Sequence, residues 1–118
     1  MIEFYNRRGG IYEISIKNIR KDPSQCPWIN LRYIQVLSDS FIKEFENYLR
    51  WDYLSFFQKL SENIMREFQD KLYWNDICLK QKLSKEFIVE FINKINFNIL
   101  LKNENISQEV KDYCRMFL

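Results

Sequence analysis

The sequence predicts a mainly α protein: a short α-solenoid of four helical-hairpin repeats with an N-terminal β-hairpin. Three observations carry this expectation. Trp28, Trp51, Trp74 and Phe97 stand 23 residues apart. A Leu/Ile-Ser pair keeps step with them, at Leu37-Ser38, Leu60-Ser61, Leu83-Ser84 and Ile106-Ser107. A unit that short cannot bury its own apolar stripe, whereas stacked copies share one.

The N-terminal arm comes first. Ile2–Tyr5 and Ile11–Ile16 flank Asn6–Gly10, which reads as a β-hairpin with a five-residue turn. Ile14 and Ile16 alternate with Ser15 and Lys17. Asp22-Pro23 and Cys26-Pro27 mark a linker. Residues 1–27 therefore form an arm and linker, and residues 28–118 the four-repeat helical domain. A lone hairpin is marginal unless it packs on something, so the arm is expected to cover the open end of the stack.

Each copy reads as two short helices. The first runs from the aromatic to Gln35, Gln58, Gln81 or Glu104, with Leu31, Leu54, Ile77 or Leu100 on the same face. The second starts at the serine, whose hydroxyl can accept a bond from an orphan N–H. Leu37 with Ile42, Leu60 with Met65 and Leu83 with Ile88 suit a hydrophobic staple, which Lys111 removes from the last copy. Phe41, Phe45 and Leu49, and their equivalents, form an i, i+4, i+8 stripe. Asp39–Lys43, Glu46–Arg50, Glu62–Arg66, Glu67–Lys71 and Glu90–Lys94 place the acid four residues ahead of the base, the favourable order. Polar Lys102, Asn103 and Lys111 mark the last copy as a cap.

Composition narrows the function. The 118 residues are 47% apolar and 17% aromatic, enough for one modest core and too much for disorder. No apolar run is long enough to span a bilayer, and MIEFYNRRGG has no signal-peptide core. These features point to an intracellular protein, cytoplasmic in its host cell, with no membrane. Cys26, Cys78 and Cys114 are odd in number and far apart, which is not a disulfide framework. With no histidine, neither a nucleophilic triad nor a zinc site is expected, and no cofactor or metal. Glu44, Glu67 and Glu90 recur as the solvent-facing acid of each copy; a catalytic pair would need unequal surroundings. No catalytic residue is assigned. The chain has no Ala and no Thr and is rich in Lys, Asn, Ile and Phe, as an AT-rich coding genome gives.

The spacing Trp-x-x-Leu/Ile-x-x-x-Gln-x-Leu-Ser is clearest at Trp51 to Ser61 and Trp74 to Ser84. It resembles the tandem 23-residue helical repeats of proteins from phages and large DNA viruses. The resemblance covers residues 28–118 and not the arm. It implies a helical repeat of viral or mobile-element origin and carries over no catalytic residue. Phe97 and Glu104 depart from it, as suits a cap.

The recurring glutamines are expected to be half-buried and bonded to neighbouring loops, and the Trp ladder to be core. Apolar character at Tyr33-Ile34 and Phe56-Phe57 fades to Leu79-Lys80 and Lys102-Asn103, while Tyr53 and Tyr73 add aromatics that Asp76 and Asn96 lack. Either the hairpin covers these residues or an exposed patch binds a partner. Tyr, Trp and Arg are the types enriched at hot spots. Arg7, Arg8, Tyr33, Tyr53, Phe56 and Lys80 are therefore the candidate partner-binding residues. The expected function is a non-enzymatic protein-binding module of viral or phage origin. A concrete form is an inhibitor of a host defence complex of the anti-CRISPR type, with a host protein or ribonucleoprotein as partner. The alternative is an RNA- or DNA-binding module. Arg7, Arg8, Lys17, Arg20 and Lys21 would then touch phosphates, and Lys80, Lys82 and Lys85 would form a second cluster. Residues 28–118 balance 13 basic against 13 acidic residues, without the positive excess usual for nucleic-acid binding. Partner identity and oligomeric state are not legible.

Overall fold

The computed structural model describes all of residues 1–118 and is mainly helical, with one small antiparallel sheet. No helix is long and apolar enough to cross a membrane. The chain divides into two compact units, Met1–Arg50 and Trp51–Leu118, so the arm groups with the first copy.

In the first unit, β1 (Ile2–Tyr5) pairs antiparallel with β2 (Ile11–Ile14), in the register Ile2 to Ile14 and Phe4 to Tyr12. The turn is the one expected. The Asn6 N–H donates to Gly10 O at 2.8 Å and the Gly9 N–H to Asn6 O at 3.1 Å. Asn6 Oδ1 accepts from the N–H groups of Arg8 and Gly10, both at 2.9 Å. Gly9 has φ +79°, a left-handed conformation that costs a side-chain-bearing residue and not glycine.

β2 stops at Ile14, two residues short of the expected end, because Ser15 caps a helix. Its hydroxyl accepts from the Asn18 N–H at 3.1 Å and opens α1 (Ile16–Lys21), with Arg20 and Lys21 near the C-terminal carbonyls. The apparent alternation around Ser15 is thus a strand end followed by a helix start. Ser15 lies 23 residues before Ser38. The two share a backbone, φ −69° and ψ 146° against φ −68° and ψ 154°, and Ile19 is buried as Ile42 is. The Trp28 indole donates to Pro23 O at 2.8 Å, as the Trp74 indole does to Gln69 O at 3.0 Å, five residues back in each case. The start of α1 and the Trp28 indole bond thus repeat local geometry found in the later copies. The sequence signature is hidden there because polar Asn18 stands where Phe41 stands one repeat later.

The first copy keeps only its second helix, α2 (Asp39–Glu44). Trp28–Asn30 makes a single 3-10 turn, not the expected helix to Gln35. The edge of β1 claims the backbone that follows. Phe4 and Leu31 form an antiparallel bridge, and the Arg32 N–H donates to Glu3 O at 3.0 Å. Trp28 packs on Phe41 and Phe45, with ring centroids 6.2 and 5.4 Å apart.

The second unit holds α3 (Trp51–Phe57), α4 (Glu62–Glu67), α5 (Trp74–Lys80), α6 (Lys85–Glu90), α7 (Phe97–Leu100) and α8 (Gln108–Cys114). α3 packs on α5, α5 on α7 and α7 on α8. Ser38, Ser61, Ser84 and Ser107 all cap as expected, each hydroxyl accepting from the N–H three residues on at 3.1–3.2 Å. Leu60, Met65, Leu83 and Ile88 are buried, as are Leu37 and Ile42 in the first unit. The three-position stripe does not lie on one helix. Phe45, Phe68 and Phe91 are C-caps with φ near −110° and ψ 25–31°, so each helix ends there. Leu49 and Leu72 are buried in the turns that follow. Trp51 and Trp74 pack on Phe68 and Phe91 at 4.9 and 5.2 Å, so the ladder is core, with Trp51 buried and Trp28 and Trp74 half-buried. In the last copy Cys114 has φ −63° and ψ −31°, and the chain runs on into a 3-10 turn at Arg115–Phe117.

Several charges pair across about one repeat length. Arg66 meets Glu90 at 2.9 Å and, more loosely, the expected Glu62 at 3.8 Å. In the first unit Arg20 grips Glu44 with two bonds at 2.6 and 2.8 Å, also 24 residues apart. The solvent-facing acids Glu44 and Glu90 are thus ion-paired as well as exposed.

Candidate partner-binding groove

The loops joining first to second helix in the copies of the second unit lie side by side, and one side chain fixes each loop to the one before. Gln81 Nε2 donates to Ser55 O at 2.9 Å and Gln58 O at 2.6 Å, and its Oε1 accepts from the Leu60 N–H at 3.0 Å. In the last copy the equivalent position holds Glu104, which is exposed and cannot donate. Asn103 takes the task from one residue earlier. Its Nδ2 donates to Cys78 O at 2.8 Å and Gln81 O at 2.7 Å, the carbonyls one repeat on from Ser55 and Gln58. Asn103, one of the polar residues that mark the last copy as a cap, is fully buried, because an amide on a shorter stem reaches the equivalent carbonyls. In the first unit Gln35 performs the same clasp on the hairpin. It donates to Glu3 O at 2.8 Å and Arg32 O at 2.7 Å and accepts from the Glu3 N–H at 2.8 Å. The glutamines are more fully buried than the sequence suggested, and the amides of Gln35 and Gln81 are satisfied by backbone.

Above these clasps runs a groove of about 970 Å³. Leu60, Leu83, Ile106 and Val110 form its apolar lining, Phe56 and Phe57 one wall, and Lys59, Lys80 and Lys82 its cationic edge. Phe56 and Phe57 meet edge to face with centroids 4.8 Å apart, and Lys80 Nζ lies 4.7 Å from the Phe56 centroid. Phe57 is 49% exposed. The acid in the lining, Glu62, is committed: it accepts from the Ser84 N–H at 2.8 Å and the Ser84 hydroxyl at 3.0 Å, while Arg66 stands at 3.8 Å. Lysine charge therefore dominates the edge.

Of the predicted residues, Phe56 and Lys80 are brought together in this groove. Tyr53 is 38% exposed on α3 and stacks edge-on with Phe57 at 6.0 Å. Arg7 and Arg8 are exposed in the turn of the first unit. Tyr33 is not a surface residue. It is 6% exposed, and its hydroxyl accepts from the Arg50 N–H at 2.8 Å. The equivalent N–H at the end of the next two copies is met by the Ser55 hydroxyl at Tyr73, 3.1 Å, and by the Cys78 thiol at Asn96. Tyr33 is thus a core tyrosine with a structural bond. Among the proposed phosphate contacts, Lys17 and Lys21 are exposed and Arg20 is tied to Glu44. Lys85 lies over the Tyr113 ring at 4.4 Å. Sequence reading missed Lys59 and Asn105 as groove residues and placed Phe57 in a candidate exposed patch without choosing it as a binding residue. The repeat itself held the signal, since the loop positions beside each buried Gln must share one surface.

Burial pushes the Cys26 thiol up to about 11 and raises Cys78 and Cys114, so none is activated as a nucleophile. No family model matches the chain, and no curated protein or solved structure matches it either.

Proposed function

We propose that this chain is a short α-solenoid of helical hairpins and a non-enzymatic protein-binding module, with the groove of the second unit as its contact surface. The observation that carries this is an apolar groove with a half-exposed phenyl wall, built over loops whose backbone groups are already satisfied. Concave, mostly apolar surfaces with a few charged groups suit ligand recognition. The regular packing of α3, α5 and α7 and the recurring amide clasp support the solenoid. If the chain comes from a phage or large DNA virus, such a module fits an inhibitor that occludes a host complex. Affinity capture of the tagged chain from its native host, with and without nuclease, tests the reading. A stoichiometric protein recovered in both samples, and lost with Phe57→Asp, is expected. Loss of all partners after nuclease would overturn it.

Nucleic acid is the second reading, favoured by the exposed Arg7, Arg8, Lys17 and Lys21 of the first unit. Phosphate contacts make affinity fall steeply with salt; the apolar groove predicts a shallow dependence.

A further inference from the structure

We infer that the groove over the second unit takes an extended, acidic peptide segment, with carboxylates about three residues apart; this rests on the protein-binding reading above. Three features of the groove select that occupant. Its edge carries Lys59, Lys80 and Lys82, whereas its acid, Glu62, is already bonded to Ser84. The surplus is positive, although the chain as a whole is nearly balanced at +2. The cations also follow the repeat: Lys59 and Lys82 occupy equivalent positions 23 residues apart, each directly after a buried glutamine, and Asn105 continues the row. Packed helices lie roughly 8–10 Å apart, so equivalent lysines on successive copies are separated by about that step. A polyproline-II chain rises about 3.1 Å per residue with three residues per turn. Every third side chain then falls on one edge at about 9 Å, in step with the lysines.

The backbone and lining chemistry narrow the choice further. Ser55 O, Gln58 O and Leu60 N–H are taken by Gln81, and Cys78 O and Gln81 O by Asn103. These loops cannot pair with an incoming strand through those groups, so recognition falls to side chains. The lining is aliphatic at Leu60, Leu83, Ile106 and Val110, which suits Leu or Pro side chains between the acids. A single-stranded nucleic acid prefers a run of aromatic platforms, and here rings are confined to the Phe56–Phe57 wall.

The test uses the full chain and four fluorescein-labelled probes read by anisotropy: the twelve-residue peptides (Glu-Pro-Leu)4, (Gln-Pro-Leu)4 and (Lys-Pro-Leu)4, and a twelve-nucleotide oligouridine. The Glu peptide should bind at least about tenfold more tightly than the Gln peptide, and the Lys peptide should not bind. Lys59→Glu with Lys82→Glu should weaken the Glu peptide by about tenfold or more, while Arg7→Glu with Arg8→Glu leaves it unchanged. Far-UV circular dichroism checks folding, and Lys59→Gln with Lys82→Gln serves if the charge reversal unfolds the chain. Equal affinity for the Glu and Gln peptides, indifference to the lysine changes, or tighter binding of oligouridine that displaces the peptide would each overturn the assignment. A captured host protein that depends on Phe57, alongside a Glu peptide that fails to bind, overturns the acidic-peptide inference and leaves the protein-binding reading standing. Failure of both removes the two together.

Discussion

Gln81 is 3% exposed and engages both amide donors and its carbonyl on three backbone groups of the preceding copy. Removing that amide strands buried groups, each worth about 1–3 kcal/mol. Gln81→Leu should therefore destabilise the chain by about 3–6 kcal/mol in urea unfolding. Asn103→Leu, which strands two carbonyls, should cost about 2–4 kcal/mol. Glu104→Ala, at an exposed position, should stay within about 0.5 kcal/mol. Equal effects at 103 and 104 would mean that the amide is not the fastening. The glutamine positions were legible because their spacing is strict. Asn103 was not, because its task depends on a carbonyl one repeat away and not on its own column. The thiols give a pH prediction. Cys26 titrates near 11 when folded against an ordinary value of 9.0, so the unfolded chain loses its proton first. Stability from this group is complete below pH 9 and falls as pH rises from about 9 towards 11, with Cys78 and Cys114 acting in the same direction. Urea midpoints measured at pH 8, 9 and 10 should decline, and a Cys26→Ser chain should decline less.

The second helices are the most readable elements, since in α2, α4 and α6 a capping serine and a buried pair fix the start and a C-cap phenylalanine fixes the end. Ser61→Ala should cost about 1 kcal/mol. Ser84→Ala should cost more, because Ser84 also donates to Glu62. Ser15→Ala should cost about 1 kcal/mol too if the cap of α1 acts as the later ones do, measured as a shift in unfolding midpoint. No shift at Ser15 would reduce α1 to an incidental turn. The first helix of the first copy was illegible for a different reason. Trp28 and Leu31 keep the pattern, yet β1 supplies Glu3 backbone to Gln35 and Arg32, and pairing with a distant strand outweighs local spacing. The hairpin turn was legible from Asn6 and the glycine pair. Gly9→Ala, at φ +79°, should cost about 1–2 kcal/mol.

At the scale of the whole molecule, the proposed solenoid predicts that its copies can be multiplied. Inserting a second 74–96 segment after residue 96 leaves each clasp a partner: the new Gln81 equivalent meets Cys78 O and Gln81 O, and Asn103 meets the inserted carbonyls. The longer chain should keep its helical signal per residue and unfold at a higher urea concentration, since nearest-neighbour interfaces add. A lower midpoint would show that the copies are not interchangeable. The groove was only partly legible, because it belongs to loops from several copies and no single copy contains it. The displaced fastening in the last copy has a wider implication. The same carbonyl-holding task falls to glutamine in one column and to asparagine in the column before it. A degenerate unit by letter can be an intact one by geometry, and units lost to alignment are best sought by the carbonyls they hold.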